Sequence, residues 1–177
     1  RLSLVGSEMC IRDSLYIIGF MGSGKSSLSL ELDRINIRKL ISTDELIENR
    51  IGMSISDIFD RHGEAFFRKQ EHMLLCDISK NDGQIIDCGG GLPLNPLNRE
   101  LIKASGRCIY LKVSPETVIF RLEKDESRPL LRNKKSIKEI SIMLNERVKI
   151  YESIADISID SNKLSTKEIA EKLIPYL

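Results

Sequence analysis

The chain predicts an α/β domain in which a parallel sheet is covered by helices on both faces. Three observations carry that prediction. Short apolar runs alternate with helical periods along most of the chain, the pattern of strand–helix–strand units. A glycine-rich anion loop sits where the first strand meets the first helix. The length, 177 residues, suits one domain with a two-sided core.

Taken in order, Leu15-Tyr16-Ile17-Ile18 reads as a buried strand. The glycine loop follows, and Lys25 to Ile35 reads as the helix leaving it. Arg38-Lys39-Leu40-Ile41 is the second strand and Gln84-Ile85-Ile86-Asp87 the third. Cys108 to Val113 is the fourth, and Ile157-Ser158-Ile159-Asp160 the fifth. Helical periods cover Asp44 to Arg50, Gly63 to Ser79, Pro96 to Ala104, Pro115 to Glu123, Ile137 to Ser153 and Thr166 to Leu173. Ligands of such sheets bind beyond the carboxyl ends of the strands. The polar stretch from Glu123 to Lys135 interrupts two helical patterns and carries charges of both signs. Beside an anion loop it is expected to be a mobile lid bearing cations. Residues 1–14 show weak periodicity and no apolar core of a signal peptide. They are expected to be a non-native or disordered leader, leaving 15–177 as a single domain.

Composition narrows the function. With Lys+Arg 27 against Asp+Glu 26 the formal charge is +1, which argues against a general nucleic-acid binder or a membrane-surface protein. No apolar run reaches the length of a membrane span. Cys10, Cys76, Cys88 and Cys108 are scattered and form no C-x-x-C pair, so neither zinc nor a disulfide framework is indicated. Reduced thiols in a cytoplasmic protein are expected.

Gly19-Phe20-Met21-Gly22-Ser23-Gly24-Lys25-Ser26 matches G-x-x-x-x-G-K-S/T, the phosphate-binding P-loop. The glycines let successive backbone N–H groups line a concave anion site. The following helix adds the partial positive charge of its N-terminus. Lys25 can reach the β- and γ-phosphates, and the Ser26 hydroxyl can ligate Mg²⁺. Gly22, Ser23, Gly24, Lys25, Ser26 and Ser27 are therefore the expected nucleotide cradle. A GTPase would need a guanine motif such as N-K-x-D, and none is present. A small ATP-dependent kinase suits the length and the lid.

Beyond the P-loop, several separated motifs resemble shikimate kinase over Leu15 to Leu177. Ser42-Thr43-Asp44-Glu45-Leu46-Ile47-Glu48 is similar to that family's acidic D-x-D-x-x-I-E stretch. Ile58-Phe59, Gly63-Glu64-Ala65-Phe66-Phe67-Arg68 and Glu71 follow its I-F-x-x-x-G-E-x-x-F-R-x-x-E. Gly89-Gly90-Gly91 matches its glycine triplet, Arg128-Pro129-Leu130-Leu131 its lid, and Arg147 with Tyr151 its late R-x-x-x-Y.

The resemblance implies a three-layer P-loop kinase fold with strand order 2-3-1-4-5. It also implies ATP-dependent phosphorylation of the shikimate 3-hydroxyl on the route to chorismate and the aromatic amino acids, by a monomer using Mg²⁺. Arg68 and Arg147 would grip the substrate carboxylate, since a guanidinium matches it with two parallel hydrogen bonds. Glu71, one helical turn after Arg68, would hold that guanidinium in place. Gly89, Gly90 and Gly91 would offer backbone N–H groups at close range. Asp44 would accept hydrogen bonds from the substrate hydroxyls and orient the attacking one; its place also suits a helix cap or first-turn acid, and both roles can hold together. Lys25 and Arg128 would stabilise charge on the transferring phosphoryl, and Arg121 would stack on adenine. Two rivals remain at this level. One is a gluconate or nucleoside-monophosphate kinase. The other is a kinase-like binding module that has lost catalysis.

The chain departs from the family's pattern at Ser42, where an acid commonly helps organise Mg²⁺. Asp87, at the end of an apolar strand, stands where the family is commonly small. With strands two and three adjacent, Ser42 and Asp87 should end side by side. The carboxylate is therefore expected to have moved from one strand tip to the next, making Ser26 and Asp87 the metal pair.

Overall fold

A computed structural model describes residues 13–35, 38–123 and 136–176. The strands are β1 (Ser14–Gly19), β2 (Lys39–Ser42), β3 (Gln84–Asp87), β4 (Gly106–Lys112) and β5 (Ile157–Asp160). They form one parallel sheet in the order β2-β3-β1-β4-β5, as the resemblance implied. The helices are α1 (Lys25–Ile35), α2 (Thr43–Ile51), α3 (Ile55–Ile78), α4 (Pro96–Ser105), α5 (Pro115–Glu123), α6 (Ile137–Ile154) and α7 (Thr166–Leu173).

Every residue of β1 is buried, because side chains alternating with period two must serve two cores at once. Leu15 and Ile17 pack with Leu28 and Leu32 of α1 and with Ile169 and Leu173 of α7. Tyr16 and Ile18 belong to the opposite core with Leu74 and Leu75 of α3, Ile102 of α4 and Leu144 of α6. Each such side chain contributes roughly 1.5–3 kcal/mol through burial. No described helix is long and apolar enough to cross a membrane.

Several boundaries differ from the sequence reading, most by one or two residues, β4 for example running Gly106–Lys112 where Cys108 to Val113 was expected. Three of the differences have a clear position or cause. β1 opens at Ser14, one residue inside the expected leader, because the Ser14 hydroxyl donates to the Asn81 carbonyl and accepts from the Gln84 N–H. β2 opens one residue late, at Lys39. The third helix begins at Ile55, not Gly63. Ser54 accepts from the Asp57 N–H at 3.1 Å, and Glu48 accepts from the Ile55 N–H at 2.8 Å, so two side chains cap a start the periodicity did not mark. Gly63, at φ 78° and ψ 169°, breaks this helix in the middle. The expected lid from Glu123 to Lys135 lies outside the described residues apart from Glu123, the last residue of α5, as do residues 1–12 of the expected leader.

The register aligns the strand tips where the site is built. Ser42 pairs with Asp87, Asp87 with Ile17, Gly19 with Leu111 and Lys112 with Asp160. The expectation that Ser42 and Asp87 end side by side is met.

Candidate active site

The P-loop curls between β1 and α1. Gly22 and Gly24 take positive φ, 71° and 93°. The Ser23 N–H donates to the Phe20 carbonyl at 3.2 Å, and the Leu28 N–H donates to that of Gly24 at 2.9 Å. Lys25 folds back so that its Nζ donates to the Phe20 carbonyl at 3.2 Å. Ser26 and Ser27 are exposed in the first turn of α1, which carries no acid. The loop thus presents backbone donors, a helix N-terminus and a cation to an anion.

Facing it is the loop after β3. Here neighbouring side chains fill the room that the glycines leave. A Cβ on Gly89 would collide with the Asp44 carboxylate, and one on Gly91 would lie 2.6 Å from Cζ of Arg68. The same point on Gly90 lies 3.3 Å from the Gly19 carbonyl, so this loop abuts the P-loop. Asp44 sits in the first turn of α2, but Ser42 is the cap, its hydroxyl accepting from the Glu45 N–H. Of the two helix-start readings of Asp44, cap or first-turn acid, the second holds, and its carboxylate faces the glycine loop.

On α3, Arg68 Nη1 lies 2.6 Å from Glu71 Oε2, and Nη2 lies 2.8 Å from Glu64 Oε1. Glu71 is fully buried, and its Oε1 has no hydrogen-bond partner. Burial pushes its carboxyl up to about 7 against the opposing pull of Arg68. Burial alone would lower the Arg68 guanidinium, yet Glu71 and Glu64 together raise it. On α6, the Arg147 guanidinium lies 5.4 Å from the centre of the Phe20 ring. Tyr151, one turn on, donates its hydroxyl to the Gly90 carbonyl at 2.6 Å. Burial pushes this phenol up, while Arg147, hydrogen-bonded to it, and Arg68 pull it down. Asp44, Arg68 and Tyr151 therefore meet the glycine loop, and Arg147 meets Phe20 of the adjoining P-loop.

Arg121 of α5 occupies a different position. Its Nη1 donates to the Gly22 carbonyl at 2.9 Å and its Nη2 to the Ser161 carbonyl at 2.6 Å. It ties the P-loop to the segment after β5. Arg128 lies outside the described residues. Thr43 was missed on sequence. Its buried hydroxyl donates to the Asp87 carbonyl at 3.2 Å and accepts from the Gly89 N–H at 2.8 Å, fastening α2 to the glycine loop. A hydroxyl directly before Asp44, at a strand-to-helix junction, was the available signal. Asp87 is 8% exposed at the tip of β3.

The family model for shikimate kinase matches residues 21–177. The chain belongs to the shikimate kinase family. The shikimate kinase of Dehalococcoides mccartyi is 39% identical over 165 residues, 93% of each chain. That of Sulfurihydrogenibium sp. is 38% identical over 162 residues, covering 91% of this chain and 95% of its own. The solved shikimate kinase from Acinetobacter baumannii, in complex with shikimate, overlays with a TM-score of 0.85 at 28% identity, covering 92% of this chain and 90% of that one. A gluconate or nucleoside-monophosphate acceptor and a lapsed kinase are not favoured by these matches. As a member of the shikimate kinase family the chain is an ATP-dependent phosphotransferase.

Proposed function

We propose that this chain transfers the γ-phosphoryl group of ATP to the 3-hydroxyl of shikimate, giving shikimate 3-phosphate and ADP for the synthesis of chorismate. The observation that carries the acceptor is the pair of guanidiniums, Arg68 and Arg147, converging beside Tyr151 with Asp44 against the glycine loop. Two cations grip a carboxylate, and one half-buried carboxylate accepts from hydroxyls. A nucleotide acceptor would give that set no purpose.

In the reaction, the 3-hydroxyl oxygen forms a bond to the γ-phosphorus while the bond to the β–γ bridging oxygen breaks. The hydroxyl proton passes to Asp44 or to water, and ADP leaves. Phosphoryl transfer depends mainly on positioning and charge neutralisation, so Asp44 need not be a strong base. Lys25 and Arg128 neutralise the moving phosphoryl group, Gly22 to Ser27 cradle the phosphates and Arg121 flanks the nucleotide from the P-loop side. Among the described residues no three His, Cys, Asp or Glu gather to hold a metal. The oxygen donors present suit Mg²⁺ shared with phosphates and water. Bound with ATP, Mg²⁺ would neutralise phosphate charge, with the exposed Ser26 hydroxyl as a protein ligand. The reading extends to a cytoplasmic monomer whose partners are ATP and shikimate.

An ADP-release assay with ATP and Mg²⁺ tests the acceptor, with shikimate, gluconate and nucleoside monophosphates run side by side. Turnover with shikimate alone is expected. Turnover with another acceptor, or none while ATP still binds, would overturn the reading.

A further inference from the structure

We propose that Asp87 supplies the carboxylate of the Mg²⁺ shell in this chain, acting with the Ser26 hydroxyl from the neighbouring strand tip. The proposal rests on the reading of the chain as an ATP-dependent phosphotransferase. P-loop NTPases hold their metal with the P-loop Ser or Thr and with an acid that ends an apolar strand. The five strands here end in Gly19, Ser42, Asp87, Lys112 and Asp160. Only two of those tips carry a carboxylate, and their positions decide between them.

Asp160 ends the edge strand β5, separated from β1 by β4. Its Oδ1 accepts from the Asn162 N–H at 2.8 Å and from Asn162 Nδ2 at 2.6 Å, so it organises its own turn. Asp87 ends β3, hydrogen-bonded directly to β1, in register with Ile17 just ahead of the P-loop. The Ser42 tip beside it has no carboxylate, and its hydroxyl is engaged as the α2 cap.

The surroundings of Asp87 are those of a charge placed for a purpose. An acid 8% exposed is costly to keep ionised without cationic company. The loop that leaves Asp87 abuts the P-loop that carries Lys25, a Cβ on Gly90 falling 3.3 Å from the Gly19 carbonyl. The backbone that delivers Asp87 is fixed on both sides. The Cys88 N–H donates to the Ile17 carbonyl at 3.1 Å, and Thr43 binds the Asp87 carbonyl and the Gly89 N–H. A carboxylate on a locked strand tip is held more tightly in place than one on a loop. One hydroxyl and one carboxylate, completed by phosphates and water, is a donor set of the kind Mg²⁺ accepts.

The test reads metal binding without turnover. Wild type, Asp87→Asn and Asp87→Glu, each checked by thermal melting, are titrated with Mn²⁺ in the presence of imido-ATP. Free Mn²⁺ is followed by its EPR signal, and metal-free imido-ATP affinity by calorimetry. Asp87→Asn should weaken Mn²⁺ about 10–100-fold, the range seen when groups that orient a metal site are lost, with metal-free nucleotide affinity unchanged. Asp87→Glu keeps the charge but moves it, and should weaken Mn²⁺ by a smaller factor. If only one variant folds, that one decides. Wild-type Mn²⁺ affinity in the folded variants would overturn the assignment. Loss of metal-free nucleotide affinity in step with Mn²⁺ affinity would overturn it too, since Asp87 would then be shaping the loop. Shikimate turnover is scored separately. A wild-type chain that binds Mn²⁺ through Asp87 yet leaves shikimate untouched would keep the metal assignment and fail the acceptor reading.

Discussion

Glu71 Oε2 lies 2.6 Å from Arg68 Nη1, with the carboxylate 1% and the guanidinium 26% exposed. The asymmetry assigns the roles. A buried acid with one cationic partner is a fixed anchor, and the part of Arg68 left open is what a ligand can reach.

Glu71→Gln should therefore act on shikimate and not on ATP. A hydrogen bond to a charged group is worth about 1.5–3 kcal/mol, and about 1.4 kcal/mol is a factor of ten. Steady-state kinetics should show the shikimate KM raised by about tenfold or more, with the ATP KM unchanged. An unchanged shikimate KM would remove Glu71 from substrate binding.

The same carboxyl gives stability a pH dependence. Its native pKa, about 7, lies above the ordinary 4.5. The native state therefore keeps a proton that the unfolded chain releases across that interval. The contribution is complete below about 4.5 and is lost as pH rises through about 7. Urea unfolding between about pH 5 and pH 8 should show wild type losing stability relative to Glu71→Gln as pH rises. Parallel curves would show that Glu71 is ionised throughout.

The P-loop was legible because its chemistry is written in consecutive residues, and the strands because β1 must be apolar on both faces. Strand order was legible only by resemblance, since nothing in the spacing of five apolar runs says which neighbours which. The pairing of Ser42 with Asp87 then followed from that order. Thr43 bonding to Gly89 and Tyr151 to Gly90 join residues 46 and 61 positions apart. Such hydrogen bonds leave no periodicity behind, although Tyr151 stood in a motif already noticed. The depth of Glu71 was hidden for the same reason, because an acid three residues after an arginine looks like any surface pair on a helix.

Gly91→Ala tests the closeness of Arg68 to the glycine loop. The new methyl carbon would fall 2.6 Å from Cζ of Arg68 if nothing moved. The guanidinium is the far end of a flexible side chain, so it should yield before the backbone does. A melting temperature near that of wild type is expected, together with a raised shikimate KM as Arg68 is displaced. A large loss of stability with an unchanged KM would mean that the loop had moved instead.

Arg121 tests the other half of the site. Its two guanidinium nitrogens bridge the Gly22 and Ser161 carbonyls, one on the P-loop and one after β5. Arg121→Ala frees the P-loop carbonyl and removes the cation we place beside the nucleotide, so the ATP KM should rise by about tenfold. Shikimate binding, which we assign to α2, α3, α6 and the glycine loop, should not change. Arg121→Lys should fail to rescue, because a single ammonium on a flexible stem lacks the planar fork that reaches both carbonyls. The two possible sources of the effect separate in a melt. If Arg121 serves mainly as a strut, Arg121→Ala should lose about 1–3 kcal/mol, and saturating ATP should restore normal turnover. If it serves the nucleotide directly, apo stability should hardly change, while the ATP-induced rise in melting temperature shrinks.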